Sequence, residues 1–306
     1  MKTLVSHADY RVTLHQAGDR PADTVVVTFG GQPSDLSDAG FGTDYCLKNG
    51  WDNIYVAQRY GTQYQGLSVD DFRAAVAPAV TGRDVVCYGP SLGAYAAFYY
   101  GGSVDARIIG GAPMFPAWPA FANRAYADLP ITHADLTEVP RSSKSPVAIF
   151  DPLLPRDLRM VEQMLEPAYP DLRRVEYHGA GHTVLITLQQ SKQLAPLLLS
   201  LIRDDKAIPI EPLQPGMPIY HLTQGRLLQR SDPDGAIREL ETSLRLQPAR
   251  QPLAILIALL LRQERLDEAQ ALIDRVEASG DRNLTIIPSA RDKIRAAGLR
   301  VSDDLR

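Results

Sequence analysis

The chain has 306 residues, 45% hydrophobic and 22% charged, with a net charge of −4 at pH 7. That length holds one sizeable core and a smaller second unit. A balance this close to neutral offers no electrostatic footing for nucleic acid, and none is expected as a partner. The two cysteines, Cys46 and Cys87, have no metal spacing. Cys87 sits in an apolar run and reads as a buried free thiol, as in a reducing compartment. Residues 1–16 lack the apolar stretch of a signal peptide. No apolar run approaches the roughly 18 residues of a membrane span. A cytoplasmic location is therefore expected.

In chain order, short β-branched runs predict strands at Tyr10–His15, Thr24–Phe29, Asn53–Ala57, Asp84–Tyr88, Arg107–Ile109, Val147–Phe150 and Arg174–Tyr177. Val25-Val26-Val27 and Val85-Val86-Cys87 are apolar throughout, as strands buried on both faces are. Helical patterns lie between them at Val69–Val80, Leu92–Tyr100, Leu158–Leu165 and Thr183–Ile202. This alternation predicts a mostly parallel sheet flanked by helices. One insertion interrupts it. Gly111–Pro146 carries six prolines with Met114, Phe115, Trp118, Phe121 and Tyr126. Such proline density prevents a long helix. Its aromatics either cap a pocket or cover the sheet edge.

Residues 1–205 are read as the α/β domain and 206–218, with Pro209, Pro212, Pro215 and Pro218, as a linker. Residues 219–306 change to a helical period. Asp234-Gly235-Ala236 and Asp267-Glu268-Ala269 stand 33 residues apart, close to the roughly 34-residue tetratricopeptide repeat. The match is degenerate, and a generic helical hairpin is the alternative. Two such units bury little alone, so these helices are expected to dock on the rest of the chain, on a second copy or on a protein partner.

The chemistry centres on Gly89-Pro90-Ser91-Leu92-Gly93. This Gly-x-Ser-x-Gly follows an apolar strand and opens a helix, the context in which a sharp turn presents a serine hydroxyl. Glycine two residues to either side is needed because a side chain there would meet the neighbouring strand or helix. The backbone N–H of Leu92, at the helix start, is one candidate oxyanion donor. In the plain alternative, Ser91 only caps the helix.

A serine hydroxyl needs a base. Among six histidines, His182 in Gly179-Ala180-Gly181-His182-Thr183 follows the last strand, on a loop able to reach the serine. His178 lies four residues earlier, but the intervening glycines break the helix a metal-binding pair would need; no metal and no cofactor is expected. The carboxylate that orients His182 should follow a late strand. Val147–Phe150 is followed by Asp151 and Asp157, and both are candidates. Asp157 is slightly favoured, although it could instead cap the next helix; Asp151 could be a turn residue before Pro152. The second oxyanion N–H is assigned to Gly31 or Gln32, after the strand Thr24–Phe29. Arg59 and Tyr60, after Asn53–Ala57, are candidates for binding a substrate carboxylate or phosphate and for stacking on a sugar or acyl group. A solvated loop is the alternative there.

Val25–Gly31, the elbow at Gly89–Gly93, the strand–Asp segment and Gly181-His182 together resemble the α/β-hydrolase superfamily, in that superfamily's order of Ser, Asp and His. The resemblance covers about the first 200 residues. It implies a serine-dependent esterase, thioesterase or O-acyltransferase with an acyl-enzyme on Ser91 and a small-molecule or glycan ester as substrate. Tyr88–Ala97 and Phe150–Asp157 are also similar to hydrolase-like proteins of bacterial surface-polysaccharide biosynthesis, some with helical repeats. The alternative is a hydrolase-fold scaffold that binds a partner through its C-terminal helices.

Overall fold

The computed structural model describes residues 1–281 and Leu284. Eight strands form one sheet: β1 (Lys2–Ser6), β2 (Tyr10–His15), β3 (Thr24–Phe29), β4 (Asp52–Gln58), β5 (Asp84–Pro90), β6 (Arg107–Gly111), β7 (Val147–Phe150) and β8 (Arg173–Glu176). Their order across the sheet is β1-β2-β4-β3-β5-β6-β7-β8. β2 runs antiparallel to both neighbours, and every other pair is parallel. This is the α/β-hydrolase fold. β3, β4 and β5 lie at the centre, with Val27 in register with Ile54 and Cys87. All three side chains are fully buried, as the unbroken apolar runs require.

The helices are α1 (Thr43–Lys48), α2 (Val69–Val80), α3 (Leu92–Gly101), α4 (Pro155–Met160), α5 (Glu166–Ala168), α6 (Val184–Gln190) and α7 (Leu194–Asp204). Every residue of α3 is buried. A helix apolar all round needs cover on more than its sheet side, and the proline-rich insertion supplies part of it. Phe115 stacks on Tyr95 with ring centroids 4.3 Å apart, and His133 stacks on Tyr99 at 3.9 Å. The insertion has only short 3₁₀ turns, Pro119–Phe121 and Arg124–Tyr126.

Several elements differ from the sequence reading, among them α1, a helix it did not expect. β1 is an additional edge strand. The helix expected at Leu158–Leu165 begins earlier, with Pro155 in its first turn, and continues as a π-turn over Val161–Leu165. The single helix expected over Thr183–Ile202 is two. Lys192 adopts φ 59° after α6, and the N–H groups of Lys192 and Gln193 donate to the carbonyls of Gln189 and Leu188. That double bond pattern closes a helix and turns the chain.

A second compact unit begins at Pro212. It contains α8 (Pro218–Leu228), α9 (Pro233–Leu246), α10 (Arg250–Arg262) and α11 (Leu266–Ser279). Consecutive helices pack together around a core that includes Leu222, Ala236, Leu240, Leu256, Ala269 and Ile273. Ala236 and Ala269 are fully buried near the starts of α9 and α11, at the positions 33 residues apart in sequence. The rest of the expected 219–306 segment lies outside the described residues. No described helix is long and apolar enough to cross a membrane.

His133 joins the insertion to the main core. Its Nδ1 accepts from the Tyr95 hydroxyl at 2.9 Å, and its Nε2 lies 2.9 Å from the Tyr64 carbonyl. That carbonyl can only accept, so Nε2 carries a proton, and Nδ1 is the acceptor while the ring is neutral. Burial pushes its pKa down to about 4, more than the Tyr64 and Leu67 carbonyls raise it. The unfolded chain takes up a proton near pH 6.5 that the folded chain refuses until about pH 4. Stability should therefore fall as pH drops through that window, by up to about 3 kcal/mol from this residue. Urea unfolding at pH 7 and pH 4.5 checks this: the loss should be clearly smaller in His133→Gln, and an equal loss refutes it.

Candidate active site

Ser91 stands between β5 and α3 with φ 50° and ψ −117°. A serine with positive φ costs on the order of 1–3 kcal/mol and persists only where its surroundings hold it. They do so here through the backbone. The Ser91 N–H donates to the Gly111 carbonyl at 2.7 Å, and the Ser91 carbonyl accepts from Ala94, Tyr95 and Met114 at 3.0 to 3.2 Å. The flanking glycines permit the turn. A side chain at Gly89 would collide with the backbone of Gly93 and Ala94, and one at Gly93 with the Phe29 carbonyl of β3. The helix thus lies directly on the end of the strand.

The hydroxyl of Ser91 is 2.9 Å from His182 Nε2, and His182 Nδ1 is 2.8 Å from Asp157 Oδ2. The three side chains form one hydrogen-bonded chain, although 91 residues separate Ser91 from His182. Asp157 is 4% exposed and His182 39%. The carboxylate end is thus closed and the imidazole opens to a reactant. In this order Asp157 accepts from Nδ1–H, which leaves Nε2 as a lone pair facing the serine proton.

Asp157 is not the helix cap it might have been. Leu154 precedes α4, Pro155 enters its first turn, and Asp157 is the third helical residue. Asp151, the other candidate, does not contact His182. Its Oδ1 accepts the N–H of Gly179 at 3.0 Å and of Leu153 at 3.0 Å; its Oδ2 accepts that of Gly181 at 2.8 Å. Asp151 therefore pins the loop whose next residue is His182. Thr187 in α6 secures the same loop through its hydroxyl, which donates to the Ala180 carbonyl at 2.9 Å. The two carboxylates divide the work: one orients the ring and the other fixes its backbone. Sequence reasoning weighed the first role for both, with a helix cap for Asp157 and a turn residue for Asp151 as alternatives. The Leu153 bond is such a turn, while the hold on Gly179 and Gly181 was not foreseen.

Leu92 opens α3, where the first N–H groups of a helix have no intrahelical acceptor. Gly31 lies against the elbow: a Cβ on it would stand 3.3 Å from the Pro90 carbonyl. Leu92 and Gly31 thus both flank the turn that presents Ser91, and Gln32, the alternative to Gly31, follows it directly in the chain. The Gln32 side chain instead meets Tyr126 of the insertion, Nε2 to hydroxyl 3.1 Å. Gly30 is fastened by the buried Tyr64, whose hydroxyl donates to its carbonyl at 2.9 Å. Arg59 and Tyr60 lie apart from this group. The Arg59 guanidinium pairs with Asp9 at 2.7 Å, and Tyr60 is 69% exposed. Neither shares a hydrogen bond, ion pair or ring contact with Ser91, His182 or Asp157 among the described residues. His178 faces Glu176 at 3.8 Å rather than His182. Among the described residues, no group of three His, Cys, Asp or Glu side chains could hold a metal ion.

No family model matches the sequence, and no curated protein matches it. Solved structures do. An esterase from Pyrococcus furiosus aligns with a TM-score of 0.42 and 16% identity, over 63% of this chain and 85% of that one. An α/β hydrolase from the metagenome of lagoon sediments at Mar Chica, Morocco, aligns with a TM-score of 0.41 and 13% identity, over 65% and 98%. A lidless α/β serine hydrolase from Xanthomonas campestris aligns with a TM-score of 0.39 and 17% identity, over 67% and 91%.

The two aspartates should separate by stability. Asp151→Ala leaves three N–H groups without their acceptor and should cost at least about 3 kcal/mol. Asp157→Asn keeps a hydrogen-bonding partner for His182 Nδ1 and should cost about 1 kcal/mol or less. Urea unfolding at neutral pH measures both, and equal losses would overturn this division.

Proposed function

We propose that the chain is a serine hydrolase that cleaves an ester or thioester through an acyl-enzyme on Ser91. The observation that carries this reading is the continuous Ser91–His182–Asp157 chain, with spacings of 2.9 and 2.8 Å, at a serine held in a strained backbone conformation. A scaffold has no use for either feature.

In this mechanism the Ser91 oxygen attacks the substrate carbonyl while His182 Nε2 takes its proton. The carbonyl oxygen gains charge between the N–H groups of Leu92 and Gly31. The tetrahedral intermediate collapses, the bond to the alcohol or thiol breaks, and His182 gives its proton to the leaving group. Water then attacks the acyl-enzyme, losing its proton to His182, which returns one to Ser91 as the acid departs. Asp157 stabilises the imidazolium in both halves without itself taking the proton. A sugar hydroxyl in place of water makes the same cycle an O-acyl transfer, and a saccharide-linked ester is a substrate class that fits this extension.

A second role is compatible with catalysis. The helices from Pro218 onward have their own buried core, and we infer a tetratricopeptide-like partner-binding role from the repeat at Ala236 and Ala269. Partner binding of this kind should survive Ser91→Ala.

A fluorophosphonate probe should label the folded wild type at neutral pH and should fail on Ser91→Ala. Ser91→Ala should lower kcat on a 4-nitrophenyl ester by on the order of 10⁴-fold or more, and Asp157→Asn by about 10³- to 10⁴-fold. Intact-mass detection of the labelled serine and steady-state kinetics check the two statements. A folded wild type that takes no label defeats the proposal.

A further inference from the structure

The proline-rich insertion touches three segments that carry the site. The Met114 N–H donates to the Ser91 carbonyl at 3.1 Å. The Tyr126 hydroxyl meets Gln32, beside the candidate oxyanion residue Gly31. Phe121 meets Arg156, the residue before Asp157. The insertion therefore runs from the nucleophile to the oxyanion loop and to the helix that bears the acid. Its aromatics Phe121 and Trp118 pack against the arginines of the acid-bearing helix.

Two arginines of α4 converge on these rings. The Arg156 guanidinium carbon is 4.6 Å from the centroid of Phe121, and that of Arg159 is 5.8 Å from both Phe121 and Trp118. Both arginines are exposed. Arg159 donates to Gln163, and neither arginine has a carboxylate within 4.0 Å among the described residues. Other arginines of this unit pair with carboxylates, among them Arg59 with Asp9, Arg83 with Asp52 and Arg174 with Glu166; Arg203 stacks on Trp51 at 5.9 Å, but it stands alone on its ring. Stacking on a ring fixes a guanidinium's plane while leaving its N–H fork free, so little ordering entropy is lost when an oxyanion binds. Two like charges on one ring also repel, and an anion between them removes that repulsion.

We propose that Arg156 and Arg159, stacked on Phe121 and Trp118, form an anion-recognition rim that selects esters bearing a carboxylate or phosphate. This deepens the hydrolase reading and rests on it. Arg59, the anion binder suggested by sequence, is engaged with Asp9. Arg156 has no carboxylate partner among the described residues and precedes Asp157 directly in the chain.

The test uses two pairs of esters that differ only in charge. 4-Nitrophenyl hemisuccinate against its methyl ester carries the anion on the acyl side. 4-Acetoxybenzoate against its methyl ester carries it on the alcohol side. For at least one pair, the ratio of kcat/KM, charged over neutral, should fall about fivefold in Arg156→Met and again in the double variant with Arg159→Met. Raising NaCl to 1 M should lower the wild-type ratio in the same direction. Ratios changed less than twofold in both pairs, by an enzyme that turns the esters over, overturn the rim alone. A wild type that neither takes the fluorophosphonate nor turns over any of the four esters overturns the hydrolase reading, and the rim with it.

Discussion

The site depends on one close approach, that of α3 onto the end of β3. No side chain fits between the Gly89 and Gly93 backbones or between Gly93 and the Phe29 carbonyl. Because the two elements touch main chain to main chain, the link between β5 and α3 has no room for an ordinary turn. Ser91 must take positive φ, and its hydroxyl stands clear of the sheet. The sheet then brings the other parts to the same edge. β3 delivers Gly30 and Gly31, β7 delivers Asp151 and Asp157, and β8 delivers the loop to His182. In a parallel arrangement these segments all leave the sheet from its C-terminal edge.

Much of this was legible in the residues because it is local. An apolar strand, a glycine two positions before and after a serine, and an alanine-rich helix are contiguous in sequence, and their steric meaning needs no tertiary information. The choice between Asp151 and Asp157 was harder. Both follow β7, and what separates them is where each side chain points after Pro155 starts the helix. Their distinct partners are residues 179 to 182, about 25 to 30 positions away. No local pattern records that a carboxylate will bind backbone N–H groups on a distant loop.

The break between α6 and α7 was hidden for a different reason. The motif that ends α6 usually places glycine at its left-handed position, but here it is Lys192. The residues on either side keep a helical pattern, so the turn announces itself only through its hydrogen bonds. β1 escaped notice because edge strands of a few residues, with one face to solvent, lack the apolar run that marks the sheet's interior.

The insertion has a consequence of its own. Almost none of its backbone joins a ladder or a long helix; side-chain contacts and short turns attach it. Away from Met114, Phe115 and His133, which hold the Ser91 carbonyl and cover α3, its length and composition can therefore drift without disturbing the strand pairing that places Ser91 and His182. Related chains could rewrite much of this one stretch while inheriting the hydrogen-bonded Ser91–His182–Asp157 group intact. Diversification of the surface beside that group would then be an evolutionary change in a graft, not in the scaffold.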